Sequence, residues 1–138
     1  MASSQMINMP GTTFHAVADG AVTAGDLLKS ASGDDKMTAI SQAGYVPAEV
    51  KVATATNADD LLIVGVALTD AASGETLSVA TSGVFIFESG AAVTAGSLVG
   101  SLTTAQKVED SAAYTDVLGK ALTGASAAAK YVLVKLNL

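Results

Sequence analysis

Cysteine, tryptophan and arginine are all absent from this chain. Without Cys no disulfide can staple the fold, and no thiolate can hold zinc. Without Arg there is no bidentate fork for phosphate or guanine. The seven Lys are scattered among 13 carboxylates, for a net charge of −6. Nucleic-acid binding needs clustered positive charge, so neither DNA nor RNA is an expected partner. Long hydrophobic runs are missing too. The longest, Leu61 to Leu68, falls far short of the ~20 residues of a membrane helix. The first ten residues lack the basic start and apolar stretch of a secretory signal. A soluble protein made in a cytosol, with no membrane partner, is the expectation.

Aromatic residues make up only 4% of the chain although half of it is hydrophobic. The core must therefore be built from Ala, Val, Leu and Ile, which give thin, closely spaced layers. At 138 residues one domain is expected. Its modest apolar area per residue suggests that oligomerisation or docking on a partner adds stability.

Val, Thr, Ser, Ala and Gly dominate, with turn signals about every eight to twelve residues, the pattern of many short strands. Glu49 to Thr54 and Glu75 to Ala80 alternate polar with apolar residues. Lys130 to Leu136 places Val132, Val134 and Leu136 on one face, and Phe85 and Phe87 share a face as core. Leu61 to Leu68 is apolar throughout, as a strand covered on both sides would be. Ala24-Gly25-Asp26, Ser73-Gly74-Glu75 and Ala95-Gly96-Ser97 are turn chemistry. Ala125 to Ala129 reads as a turn or a single helical turn. The fold class expected is all-β: a compact barrel or sandwich of many short strands, with an extended N-terminal arm.

Two segments recur. Ala21-Val22-Thr23-Ala24-Gly25-Asp26-Leu27 returns as Ala92-Val93-Thr94-Ala95-Gly96-Ser97-Leu98, and Gly65-Val66-Ala67-Leu68-Thr69 as Gly119-Lys120-Ala121-Leu122-Thr123. Two copies are too few for a solenoid. They suggest related halves at about 20–81 and 90–137 of a single domain over 14–138, with chance similarity in a low-complexity β sequence as the alternative; the uncharged, Met-rich residues 1–13 read as an arm. Within and beside the arm, Met6, Ile7, Met9 and Phe14 are candidate contacts to a neighbour or partner, since unbranched Met adapts to irregular surfaces. A disordered start is the plainer alternative.

Catalytic chemistry is hard to find. His15 is the sole histidine, so a triad or zinc site would rest on it alone, and it reads as a surface or partly buried strand residue. No Gly-x-Ser-x-Gly elbow, phosphate loop or dinucleotide fingerprint occurs. The pairs Asp34-Asp35, Asp59-Asp60 and Glu109-Asp110 read as solvated turns, not as acid/base pairs or metal ligands. No enzyme activity, cofactor or metal is expected.

From Val64 to Phe85 the order Gly65-Val66-Ala67-Leu68, Gly74-Glu75-Thr76-Leu77-Ser78-Val79, Gly83-Val84-Phe85 resembles the phage capsid cement, or head decoration, family. Ala95-Gly96-Ser97-Leu98-Val99, the stretch from Gly119 to Leu136 and the opening Val22 to Leu27 match as well, so the resemblance spans about Asp19 to Leu138. Residues from Lys29 to Asp60 depart from it, suggesting an inserted hairpin with Tyr45 and Pro47 at its tip. The resemblance implies a non-enzymatic β-barrel that binds the major capsid protein on the outer surface of an assembled head. It would act at capsomer junctions, as a homo-oligomer with a trimer favoured. A head-fibre or carbohydrate-binding β-module is the alternative.

Overall fold

A computed structural model describes residues 4–6, 12–31, 50–56, 63–101, 105–111 and 117–138. Eleven strands run through them: β1 (Ser4–Met6), β2 (Thr13–Ala18), β3 (Leu27–Ser30), β4 (Val50–Thr54), β5 (Ile63–Ala67), β6 (Thr76–Ala80), β7 (Ser82–Glu88), β8 (Leu98–Gly100), β9 (Glu109–Asp110), β10 (Gly119–Ala121) and β11 (Tyr131–Asn137). Strands β2-β4-β3-β5-β6 close into a barrel, and β1-β7-β11-β10-β8-β9 form a six-stranded sheet. The all-β expectation holds, including the strands at Val50–Thr54, Thr76–Ala80 and Tyr131–Asn137. Residues 32–49, which hold the expected hairpin tip, lie outside the described residues.

The barrel interior is small-residue packing. Ala16, Ala18, Val22, Leu28, Val52, Ala67, Ala71, Leu77 and Val79 form one buried cluster. A second cluster, around Phe85, Phe87, Val93, Val99, Val108, Val132 and Val134, fills the space under the six-stranded sheet. It also takes in Leu27, Ala55, Val66 and Ala80 from the barrel. Alternation along each strand explains the sharing, because successive side chains point to opposite faces. Leu28 looks into the barrel and Leu27 out of it; Ala67 and Val66 divide in the same way, as do Val79 and Ala80. This is why the run around β5 is apolar on both faces. Burying each Val or Leu contributes about 1.5–3 kcal/mol.

The pairing around β8, β10 and β11 follows that around β3, β5 and β6. Leu27 faces Val66 and Leu28 faces Gly65, while Leu98 faces Lys120 and Val99 faces Gly119. Ala67 opposite Val79 has its counterpart in Ala121 opposite Val134. The preceding turns match bond for bond. The Gly25 N–H donates to the Ala67 carbonyl at 2.8 Å, and the Gly96 N–H to the Ala121 carbonyl at 2.8 Å. Both glycines have positive φ, +92° and +86°, which a side chain would strain. Val22 pairs with Ala71 and Val93 with Ala125. Even the barrel's parallel β2–β4 closure has an echo, a single parallel bridge between Ser89 and Val108. Residues 126–129 are turn, not helix. They end at Ala129, whose φ of +60° matches Gly74 at +88°.

One side chain ties the two parts together. Gln106 accepts from the Leu27 N–H at 2.6 Å and donates to the carbonyls of Leu27 at 3.0 Å and Ala55 at 2.9 Å. Its amide thus pairs with the barrel backbone as a strand would, satisfying groups that burial would otherwise leave bare. Gln106→Leu should cost about 1–3 kcal/mol for the unpaired groups, seen as a melting temperature lower by several degrees.

Gly65 and Gly119 sit where two backbones nearly touch. A Cβ on Gly119 would lie 2.0 Å from the Lys135 carbonyl oxygen, and one on Gly65 2.6 Å from that of Ala80. A Cβ on Gly65 would also meet the Val79 side chain, whereas everything around Gly119 is backbone, so there the strands themselves must part. Gly119→Ala should destabilise by more than about 3 kcal/mol, beyond ordinary overpacking. Gly20→Ala, with φ +104° but nothing within 4 Å, should cost only about 1–2 kcal/mol of backbone strain. Equal losses in urea titrations of the two variants would contradict this account.

Candidate functional site

Among the described residues no three His, Asp or Glu side chains come together as a metal site. His15 is exposed on β2, opposite Ser78 of β6. The pairs Asp34-Asp35 and Asp59-Asp60 lie outside the described residues. Glu109-Asp110 corrects the solvated-turn expectation, for it is strand β9, paired with Val99 and Gly100 of β8. Its length and alternation gave no warning, because two polar residues are too short a window to show a period.

Asp110 has a structural task. Its carboxylate accepts the Thr94 N–H at 3.1 and 3.2 Å and the Ser97 hydroxyl, closing the turn before β8. The counterpart turn uses the same bonds with the partners exchanged. There Asp26, in the turn, accepts the Thr23 N–H at 2.9 Å, and Thr54 of the neighbouring strand donates its hydroxyl to Asp26 at 3.3 Å. A carboxylate and a hydroxyl have traded places across two strands while the turn keeps its shape.

Of the expected contact residues, the two that are described, Met6 and Phe14, fall in different strand groups. Met6 lies on β1 opposite Phe85 of β7, at one edge of the six-stranded sheet. Phe14 lies on β2 of the barrel, half-buried against the inner cluster, as Val50 and Val64 also are. Ile7 and Met9 are outside the described residues.

Sequence reasoning passed over the outward face of β7, β10 and β11. On β11 the inward Val132, Val134 and Leu136 alternate with Tyr131, Leu133 and Lys135. Leu133 stands opposite Ile86, and Lys135 opposite both Val84 and Lys120. Leu122 continues the ladder, its N–H bonded to the Leu133 carbonyl at 2.7 Å. Tyr131 is 62% exposed and Leu122 49%. Lys107 pairs with Glu88 at 3.1 Å, a half-buried bridge that solvent still screens, so its net energy is small. The available signal was Tyr131 and Leu133, two large apolar residues on the face that alternation sends outward.

The slight burial of Asp110 pushes its pKa up, but the hydrogen bonds from Ser97 and Thr94 outweigh this and hold it below the ordinary 3.8. A depressed carboxylate contributes stability that is present above its unfolded pKa and lost as pH falls through the folded one. Asp110→Asn should therefore be less stable than the parent at pH 7 by no more than about 1 kcal/mol, since solvent screens the site. The difference should shrink as acid protonates the carboxylate, below the ordinary carboxylate range. A gap that persists there in thermal melts would assign the effect to something other than charge.

No curated protein matches the chain. A solved structure similar to it is the N base of head fiber gp8.5 of bacteriophage phi29. That match has a TM-score of 0.58 at 18% identity and covers 91% of this chain and 93% of the other; at that identity it speaks for the shared fold. The model of the phage cement protein family matches residues 47–136, well over half the chain and most of both strand groups. The chain thus belongs to the phage cement protein family, as a structural, non-enzymatic component of the phage head.

Proposed function

We propose that this protein binds the outer surface of the assembled head at junctions between capsomers and stabilises the shell there. Its partner in this reading is the major capsid protein, it acts as a homo-oligomer with a trimer favoured, and it is made in the host cytoplasm. The observation that carries the proposal is the family match over residues 47–136. Physical logic agrees with it. A shell under pressure from packaged DNA fails at its junctions, and a small oligomer touching several subunits gains by avidity what each contact lacks. A net charge of −6 suits a protein facing solvent rather than packaged DNA.

The proposal treats residues 1–13 as an arm and 14–138 as one domain of two related halves, supported by the matching turns and registers. Met6, Ile7, Met9 and Phe14 remain its candidate contacts. The pairing of Ser4–Met6 with β7 suggests that the arm also stiffens the sheet that carries it. A second reading, a head-fibre or carbohydrate-binding module, draws on the fold shared with a head-fiber base.

Purified protein should co-sediment with empty, expanded heads at fixed stoichiometry and raise their melting temperature. Removing residues 1–10 should weaken that binding while leaving a folded domain of lower stability. Failure of saturating full-length protein to bind heads would sink the decoration reading, and saturable hits on a glycan array would favour the alternative.

A further inference from the structure

The two strand groups supply an internal control on what the fold requires of its outward faces. By register, β7 and β11 occupy the places that β2 and β6 hold in the barrel. Where the barrel carries His15, Thr76 and Ser78, the sheet carries Ile86, Tyr131 and Leu133. The same backbone positions are thus filled by polar residues in one group and large apolar ones in the other. Folding does not demand the apolar set. Tyr131 is exposed and Ile86 and Leu133 are half-buried beside it, and contiguous apolar surface left open to solvent marks interaction sites.

The lysines beside it point the same way. Lys120 and Lys135 face one another directly across β10 and β11. Like charges so placed are destabilising, and among the described residues neither has an acidic partner in an ion pair. Their counterparts by register are Val66 and Ala80, both buried within the chain. The sheet therefore presents an aromatic and aliphatic patch with two uncompensated positive charges, on a molecule that is otherwise acidic. Electrostatic complementarity calls for a negatively charged protein surface with an apolar centre.

Resting on the decoration reading, we propose that Ile86, Leu122, Tyr131 and Leu133, flanked by Lys120 and Lys135, form the face that docks on the shell. Its occupant is an acidic, partly apolar surface of the capsid subunit. A second copy of this acidic chain is less suited to that place, because association would add to like net charge.

The barrel itself supplies substitutions that the fold accepts. The triple variant Ile86→His, Tyr131→Thr, Leu133→Ser carries the counterpart residues, and Lys120→Glu with Lys135→Glu reverses the charge. Full-length parent and both variants would be compared by thermal melting, analytical ultracentrifugation and co-sedimentation with expanded heads at 50 and 300 mM salt. Both variants should melt within a few degrees of the parent. The triple variant should bind heads at least tenfold more weakly at either salt, and the charge-reversed one at least tenfold more weakly at low salt only. Parent-like binding by folded variants would overturn the assignment of this face while leaving decoration standing. An absence of binding by the parent would remove both. If the triple variant bound heads normally but lost self-association, the face would belong to a contact between copies and the proposal would be wrong.

Discussion

Three strands that must bury both faces at once set the terms for everything else. β3, β5 and β6 turn Leu28, Ala67 and Val79 into the barrel and Leu27, Val66 and Ala80 toward the second cluster. None of these six residues can become polar without opening one core or the other. The barrel lining is mostly Ala and Val, with Leu28 and Leu77. In each strand group two backbones come close at a glycine, Gly65 in the barrel and Gly119 in the sheet, where any side chain would occupy the space of a carbonyl. A core poor in aromatics is thus matched to short staves and close contacts. Its two large rings, Phe85 and Phe87, pack with centroids 6.3 Å apart where the sheet has more room.

The junction between barrel and sheet shows how polar groups are met when no strand is available. Gln106 adopts a φ of +65°, uncommon for a residue with a side chain, and three hydrogen bonds to Leu27 and Ala55 hold it there. A side-chain amide has the donor and acceptor of a peptide group, so it can complete a ladder from outside. The strain at Gln106 is offset by groups that would otherwise be desolvated and unpaired. Ala129, also at positive φ, closes its turn with an N–H bond to the Ser89 carbonyl at 2.9 Å.

The two strand groups share registers and turns, and their residues differ where the fold is indifferent. Turn closure needs one carboxylate and one hydroxyl near Thr23 or Thr94. It does not matter which strand provides which: one group uses Asp26 with Thr54, the other Ser97 with Asp110. Gly25 and Gly96 in the turns and Gly65 and Gly119 at the close approaches keep their places, whereas Gly74 gives way to Ala129, still at positive φ. Outward faces changed most, from His15, Thr76 and Ser78 to Ile86, Tyr131 and Leu133. A cement protein needs this freedom, because its function lies in surface complementarity rather than in a constellation of reactive groups.

Alternation, turn residues and composition by themselves determined the all-β class, most of the strands and the lack of catalytic machinery, because these depend on local periodicity and on which side chains exist. The echo between Val22–Leu27 and Val93–Leu98 was legible for the same reason: tight turns tolerate few residues. Tertiary structure alone decided that β2 pairs with β4 and β6 to close a barrel, and that Glu109-Asp110 is strand. It alone seated Gln106 against Leu27 and made Tyr131, Leu133 and Leu122 one face. Each of those facts joins residues far apart in the chain. Period-2 patterning says which side of its own strand a residue occupies; only the pairing of strands says what lies across from it.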